Sequence, residues 1–158
     1  MHPSLLLRGG RVARLRALQE EDAGRLQLFV RALSPAARHA RFFNGVSELG
    51  PQRLHQMLHS PGLSLAAFGA DGHIVAHAQY VLDDRRAEFA IVVADSWRRK
   101  TLGEQVLALL VRHAREAGAC VLGGLMLADN QAMRELARKL GFVLARSGDP
   151  QLLRFETS

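Results

Sequence analysis

Residues 88–110 carry a strand pattern, a short basic loop and a long helix pattern in immediate succession, and this segment restricts the choice of folds most. Arg98, Arg99 and Lys100 form the loop, and apolar residues then recur at helical spacing from Thr101 to Gly118. The first turn of a helix offers free backbone N–H groups and the positive end of the helix dipole. The junction therefore predicts a site for an anion such as phosphate or pyrophosphate. A solvated loop without a ligand is the alternative.

This segment does not match the common phosphate-binding motifs of nucleotide-binding folds. It lacks the Gly-x-x-x-x-Gly-Lys-Ser/Thr pattern, and Lys100 has the wrong neighbours for that motif. It also lacks the Gly-x-Gly-x-x-Gly turn that binds dinucleotides. Both classes of nucleotide-binding fold are therefore disfavoured.

The rest of the chain predicts strands and helices in alternation around this segment. Strand patterns cover residues 11–18, 63–69, 73–82, 86–94, 119–127, 142–145 and 152–155, and helix patterns begin near residues 20, 35, 52, 101 and 130. Asp71-Gly72 is a hairpin signal between two of the strands. The order predicts a mixed sheet with helices packed on it, an α/β or α+β fold, in one domain over residues 1–158.

The composition is that of a globular chain: 48% of residues are hydrophobic and 23% are charged. These fractions exclude collagen-like, disordered and disulfide-scaffold proteins. The single cysteine, Cys120, cannot form an internal disulfide and is expected to be a small core residue at the start of a buried strand. No apolar run reaches the roughly 18 residues that a membrane span needs, and the first residues do not resemble a signal peptide. We therefore expect a cytoplasmic protein that does not bind a membrane.

The net charge of +6 raises the question of an anionic partner. Arginines are spread along the chain from Arg8 to Arg154, with acidic residues between them. This distribution favours a solvated surface of modest positive charge. Binding to nucleic acid is an alternative, although aromatic residues that could stack on bases make up only 6% of the chain.

Two segments of the chain, which follow each other in the order usual for the family, resemble the GNAT superfamily of acyl-CoA-dependent N-acetyltransferases. Trp97 and the loop from Arg98 to Gly103 are similar to the family's pyrophosphate loop, Gln/Arg-x-x-Gly-x-Gly/Ala, although Thr101 stands where the family usually has glycine. Residues 129–142 resemble its Asn-x-x-x-x-x-Leu-x-x-Lys-x-Gly-Phe segment, which begins here at Asn130. Residues 12–22 and 33–43 resemble the GNAT domain of bacterial Pat-type protein-lysine acetyltransferases.

The resemblance implies a GNAT fold, in which helices flank a central mixed, mostly antiparallel sheet of six or seven strands. It also implies acetyl-CoA as co-substrate without a metal, and an amine acceptor that is a protein lysine or a small molecule. A homodimer is left open, because homodimers are common among GNAT relatives. The residues that the resemblance assigns to acetyl-CoA are Val92, Val93, Arg98, Arg99, Lys100, Thr101, Leu102, Gly103 and Asn130.

Glu88 is the candidate general base, because the resemblance places the matching glutamate of Pat-like enzymes in that role. Strand alternation puts Glu88 on one face with Ala90 and Val92, and apolar neighbours suit a base near neutral pH. The alternative is an ordinary exposed strand glutamate. The resemblance assigns polarisation of the thioester carbonyl to backbone N–H groups around Val92 and Val93. The tyrosine that many GNAT enzymes use as acid is replaced here by Ala137.

Thr101 supports two expectations. Its side chain is expected to hinder the close approach of pyrophosphate to the backbone, which would weaken CoA binding. Alternatively, Thr101 and Glu104 have the Thr-x-x-Glu spacing of a capping box, which would form the start of the helix well. A domain that binds acyl-CoA without catalysis is the alternative function, and both Thr101 and Ala137 favour it.

Other candidates carry less information. Arg38, Arg41 and the pair Phe42-Phe43 are candidates to line an acceptor groove, with core packing favoured for the phenylalanines. His55 and His59 lie four residues apart on a helix, but the sequence offers no third metal ligand, so no metal site is predicted.

Overall fold

The computed structural model describes residues 4–6, 10–43, 47–59, 61–98 and 101–157. Arg99 and Lys100, assigned above to the phosphate loop, lie outside these ranges. In the described part of the chain, eight strands form one sheet. The strands are β1 (Ser4–Leu6), β2 (Val12–Ala17), β3 (Gly62–Phe68), β4 (Ile74–Asp83), β5 (Arg86–Val93), β6 (Val121–Leu127), β7 (Val143–Arg146) and β8 (Leu152–Thr157). The helices are α1 (Ala23–Ala32), α2 (Pro35–Phe42), α3 (Pro51–His59), α4 (Leu102–Glu116) and α5 (Gln131–Lys139).

The sheet confirms the predicted fold class, a mixed and mostly antiparallel sheet flanked by helices. Its strand order is β1-β2-β3-β4-β5-β6-β8-β7, and β5 with β6 is the parallel pair among antiparallel neighbours. The short edge strand β1 was not predicted and is one more than the expected six or seven. A parallel pair needs a crossover connection, and α4 supplies it between β5 and β6.

Two helix boundaries follow capping signals of the sequence. Ser34 caps α2, because its hydroxyl accepts a hydrogen bond from the Ala37 N–H at 3.1 Å, and Pro35 takes the first helical position. Gly141 follows α5 with φ +88°, in the left-handed region that favours glycine after a helix. Within the described ranges, no helix is long and apolar enough to cross a bilayer.

Alternation along β5 divides the core into two layers. Phe89 belongs to the cluster that includes the buried face of α4, whereas Val92 belongs to the cluster beneath α1, α2 and α3. Glu88 shares the face of Val92, as the alternation predicts. Cys120 is exposed immediately before β6, so its predicted core position is wrong: the strand begins at Val121, and its buried positions begin at Leu122.

β5 and β6 diverge after a short region of pairing. Their ladder joins only residues 86–88 to residues 121–123, although both strands continue further. Gly124 lies at the point of divergence, where an added Cβ atom would come within 2.6 Å of both the Phe89 carbonyl oxygen and the Phe155 ring. A side chain does not fit between these groups, so glycine is required there. Beyond this point the two strands separate and leave a gap in the sheet.

Candidate active site

The gap between β5 and β6 is part of a cleft of about 1170 Å³. Eight of the residues predicted from the sequence line it together: Glu88, Val92, Val93, Arg98, Thr101, Leu102, Gly103 and Asn130. The cleft therefore brings the candidate base and the described part of the predicted phosphate loop to one cavity. Arg99 and Lys100 lie outside the described residues, so their predicted contacts stay predictions.

The amino end of α4 forms one wall of this cleft. Arg98 precedes the helix; its Nε atom donates a hydrogen bond to the Val93 carbonyl oxygen at 3.4 Å and lies 3.6 Å from an Asp95 carboxylate oxygen. Gly103 faces β5, where an added Cβ atom would be 3.6 Å from a methyl group of Val93. Leu102 is buried and anchors the first turn in the core. The wall thus combines a guanidinium with the N–H groups of a first helical turn, which are donors suited to an anion.

Thr101 adopts a left-handed backbone conformation, with φ +67°. Its hydroxyl oxygen accepts a hydrogen bond from Gln105 Nε2 at 3.0 Å, and its side chain makes no capping hydrogen bond to the helix. Glu104 forms an ion pair with Lys139 at 3.0 Å instead of reaching back to residue 101. The predicted capping box is therefore wrong, because an N-cap residue needs an extended conformation that φ +67° does not provide.

The backbone of Val93 faces away from β4. The Ala94 N–H donates to the Val75 carbonyl oxygen on the β4 side at 2.9 Å. N–H groups alternate sides along an antiparallel strand, so the Val92 N–H also points towards β4 and the Val93 N–H points to the opposite side, where the cleft lies. Of the two predicted donors, Val93 has the orientation that suits a ligand in the cleft.

Asn130 caps α5 at the far wall of the cleft. Its Oδ1 atom accepts a hydrogen bond from the Met133 N–H at 3.1 Å, which is the N-cap role expected from its position. Because Asn130 also lines the cleft, capping and contact with a ligand are compatible.

Glu88 has a polar environment, not the apolar one expected from its strand neighbours. Its carboxylate forms an ion pair with Arg154 of β8 and lies 3.9 Å from Arg86 Nη1. Hydrogen bonding to Glu88 raises the pKa of Arg154. Among the described residues, Arg86 and Arg154 are thus the two charged side chains that contact the Glu88 carboxylate.

No tyrosine occupies the place of the usual acid. Ala137, at that position, is fully buried in α5. The hydroxyl of Tyr80 is hydrogen-bonded to His113 Nδ1 at 2.7 Å, which joins β4 to α4 within the core. His59 pairs with Glu20, and in the described ranges no three His, Cys, Asp or Glu side chains cluster closely enough to hold a metal ion.

A further wall of the cleft is formed by residues of α2 and β4 and by Phe43 after α2, and the sequence predicted only some of them. Arg41 and Phe43 line the cleft, whereas Phe42 is buried in the core, so core packing was correct for one phenylalanine. Gln79 of β4 also lines the cleft and was missed. Strand alternation in the sequence shows which residues of β4 share a face with Gln79. Only the pairing of Gln79 with Ala90 of β5 shows that this face also carries Glu88.

Comparison with known proteins identifies this architecture. The Acetyltransferase (GNAT) family model matches residues 30–142. An acetyltransferase of Pseudomonas aeruginosa is 33% identical over 148 residues, covering 89% of this chain and 80% of the relative. The GNAT domain of S. lividans PAT superposes with a TM-score of 0.91 at 25% identity, covering 99% of this chain and 96% of that one. The yncA protein of Salmonella typhimurium, solved with its cofactor acetyl-CoA, has a TM-score of 0.73 at 19% identity, covering 92% and 93% of the two chains.

Proposed function

Because the chain belongs to the GNAT acetyltransferase family, we propose that it transfers an acetyl group from acetyl-CoA to a primary amine, on a protein lysine or a small molecule. One observation carries this proposal: Glu88 and the amino end of α4 open onto the same cleft. The structure of yncA with acetyl-CoA supports the choice of donor. We also propose that the reaction takes place in the cytoplasm, in a single domain, and without a metal.

The amino end of α4 and Asn130 are suited to the diphosphate and the pantetheine arm of acetyl-CoA. Arg98 and the N–H groups of the first turn of α4 would hold the diphosphate, with Arg99 and Lys100 predicted to add charge. Asn130, across the gap between β5 and β6, would contact the pantetheine arm. The Val93 N–H would donate a hydrogen bond to the thioester carbonyl oxygen.

Acetyl-CoA supplies a thioester carbon that an amine can attack. Glu88 would accept the proton that the amine loses, either directly or through one water molecule. Arg154, which pairs with the Glu88 carboxylate, would orient it for this task. As the new N–C bond forms the C–S bond breaks, and the released thiolate takes a proton from water because Ala137 cannot supply one.

A domain that binds acyl-CoA without catalysis is the second candidate. Thr101 in the phosphate loop and Ala137 in place of the usual tyrosine favour it. The exposed carboxylate of Glu88 at the cleft favours the enzyme.

The decisive experiment combines calorimetric titration with acetyl-CoA and an assay of acetyl transfer to a panel of amines. Glu88→Gln is expected to lower turnover about 10²–10⁴-fold while the Kd for acetyl-CoA stays near that of the wild type. Glu156→Gln is the matched control, because Glu156 pairs with the same two arginines, Arg86 and Arg154. Arg98→Ala is expected to weaken acetyl-CoA binding.

Binding of acetyl-CoA without turnover on any amine would support the second candidate. Equal turnover for wild type and Glu88→Gln would remove Glu88 as the base. An unchanged Kd in Arg98→Ala would refute the assignment of the phosphate loop.

A further inference from the structure

Arg41 is a buried cation in the wall of the cleft, and none of the described carboxylates serves as its counterion. It lies at the end of α2, is 8% exposed, and lines the cleft. Its Nε atom has no hydrogen-bond partner, and among the described residues no carboxylate forms an ion pair with it. Buried charges in proteins are normally paired, so a buried guanidinium that faces a cavity and has no ion-pair partner among the described residues is suited to bind an anion.

The surroundings of Arg41 increase the need for an anion. The charge of Arg53 lies nearby, and both guanidinium groups lie over the Phe42 ring, at 4.8 Å and 5.1 Å from its centroid. Burial and the charge of Arg53 lower the pKa of Arg41 to about 10, so Arg41 remains protonated at neutral pH. An anion bound between the two arginines would offset both burial and repulsion.

Two further polar atoms beneath α2 have no partner. The Gln79 Oε1 atom lacks a hydrogen bond and lines the cleft, and the His77 Nδ1 atom is also unpaired. Burial and the Arg41 charge lower the pKa of His77 to about 3, so the ring is neutral and adds no further positive charge beside Arg41. Gln79 pairs with Ala90 in the sheet, two residues from Glu88 on the same face. The cleft thus presents a donor at Arg41 and acceptors at Gln79 and Glu88.

This polar group lies on the side of β5 that faces away from α4. Arg41, His77 and Val92 lie on the face covered by α1 to α3, whereas Val93 and Gly103 meet on the face of α4. The phosphate groups that α4 would bind are therefore on the other side of the strand from Arg41. An anion at Arg41 would then belong to the acceptor, which would approach from this side.

We propose that Arg41 binds the carboxylate of an acceptor that carries both an amine and a carboxylate, as amino acids do. This proposal rests on the proposed function and narrows the acceptor from amines in general to this class. The amine would face Glu88, and the Gln79 Oε1 atom would accept a hydrogen bond from an N–H group of the amine. Polyamines, which carry no anion, would be excluded by the charges of Arg41 and Arg53.

The test compares each of the L-amino acids with its carboxamide, which keeps the amine and loses the negative charge. Two quantities are measured for each pair: kcat/KM for acetyl transfer, and the shift in melting temperature that the compound causes without acetyl-CoA. Wild type, Arg41→Met and Arg112→Met are used. Arg112→Met is the matched control, because Arg112 is exposed on α4.

For its substrates, the wild type is expected to prefer the carboxylate form by about 10–100-fold, the range of a hydrogen bond to a charged group. Arg41→Met is expected to abolish this preference, and Arg112→Met to retain it. Without ligand, Arg41→Met is expected to melt at or above the wild-type temperature, because it replaces an unpaired buried charge by an apolar chain of similar length.

Equal rates for acid and amide in the wild type would overturn the proposal and leave the acetyltransferase function intact. A fall in the melting temperature of Arg41→Met that Arg41→Lys restores would also overturn it, by showing that the charge serves the fold. If no amine is acetylated but carboxylates still stabilise the wild type over Arg41→Met, the carboxylate subsite stands and the acetyltransferase function fails.

Discussion

Thr101 allows a direct test of the backbone geometry at the phosphate loop. Its φ of +67° lies in the left-handed region, which is unfavourable for β-branched residues. The cost of this conformation for a residue with a Cβ atom is about 1–2 kcal/mol. Glycine does not carry this cost, which explains in physical terms why glycine suits this position.

The comparison that isolates this cost is Thr101→Gly against Thr101→Ala. Both substitutions remove the hydroxyl that accepts a hydrogen bond from Gln105, so that loss cancels. Alanine keeps the Cβ atom and therefore the strain. The greater flexibility of glycine in the unfolded chain offsets about 0.4–1 kcal/mol. Thr101→Gly is thus expected to be the more stable variant by about 0.8 kcal/mol, the middle of a range of about 0–1.6 kcal/mol, or roughly 2–3 °C in melting temperature for a domain of this size.

The assay is thermal unfolding of the two variants, followed by calorimetric titration of each with acetyl-CoA. Thr101→Gly is also expected to bind acetyl-CoA more tightly than Thr101→Ala, because it opens the backbone to the diphosphate. An alanine variant more stable than the glycine variant would refute the left-handed conformation, because without strain the unfolded-state entropy alone would favour alanine. Equal affinities would show that the side chain at position 101 does not obstruct the ligand.

Two further predictions concern stability. Asp22 is 1% exposed and pairs with Arg16 at 2.6 Å, and this partner lowers the pKa of Asp22 to about 2. The pKa of this carboxyl is about 2 units lower in the folded chain than in the unfolded chain, so its ionisation stabilises the fold at pH 7. Asp22→Asn removes this contribution and should lower the free energy of unfolding by about 2 kcal/mol. In urea titrations this difference should shrink as the pH falls from about 4 to about 2; a difference independent of pH would contradict the ion pair. Gly124→Ala should destabilise by about 1–3 kcal/mol or more, since its Cβ atom would meet the Phe155 ring. Gly24→Ala, in α1 with no atom within 4 Å of an added Cβ, should instead stabilise by about 0.5–1 kcal/mol, and similar effects at both glycines would refute the close contact.

Local signals in the sequence predicted most of the fold. Ser34, Asn130 and Gly141 mark helix ends through contacts with residues a few positions away, so a short window of sequence contains the information. The alternation of β5 likewise predicted which face carries Glu88.

Properties that depend on distant pairing were not predictable. Glu88 meets Arg154, 66 residues later, only because β8 pairs with β6 and β6 pairs with β5. The unpaired state of Arg41 could not be predicted either, because it depends on where the carboxylates of distant elements lie, and none of those described forms an ion pair with Arg41. The sequence showed that Thr101 departs from the family pattern, but its positive φ is visible only in the structure.

Strand β5 lies between the two parts of the candidate site, the proposed acceptor side at α2 and the proposed acetyl-CoA side at α4. Alternate residues of β5 face opposite layers of the core, so Glu88 and Val92 lie towards α2 while Val93 faces α4. In a continuous sheet these two faces would be separated by the neighbouring strand. Here β6 leaves β5 at Gly124, and the gap lets both faces open onto one cleft. A donor held at α4 and an acceptor held by Arg41 would therefore approach the same strand from opposite sides and meet at the gap. Gly124 and Arg41 thus have separate roles outside the chemical step: Gly124 fits between Phe89 and Phe155 where the strands part, and Arg41 would select the acceptor.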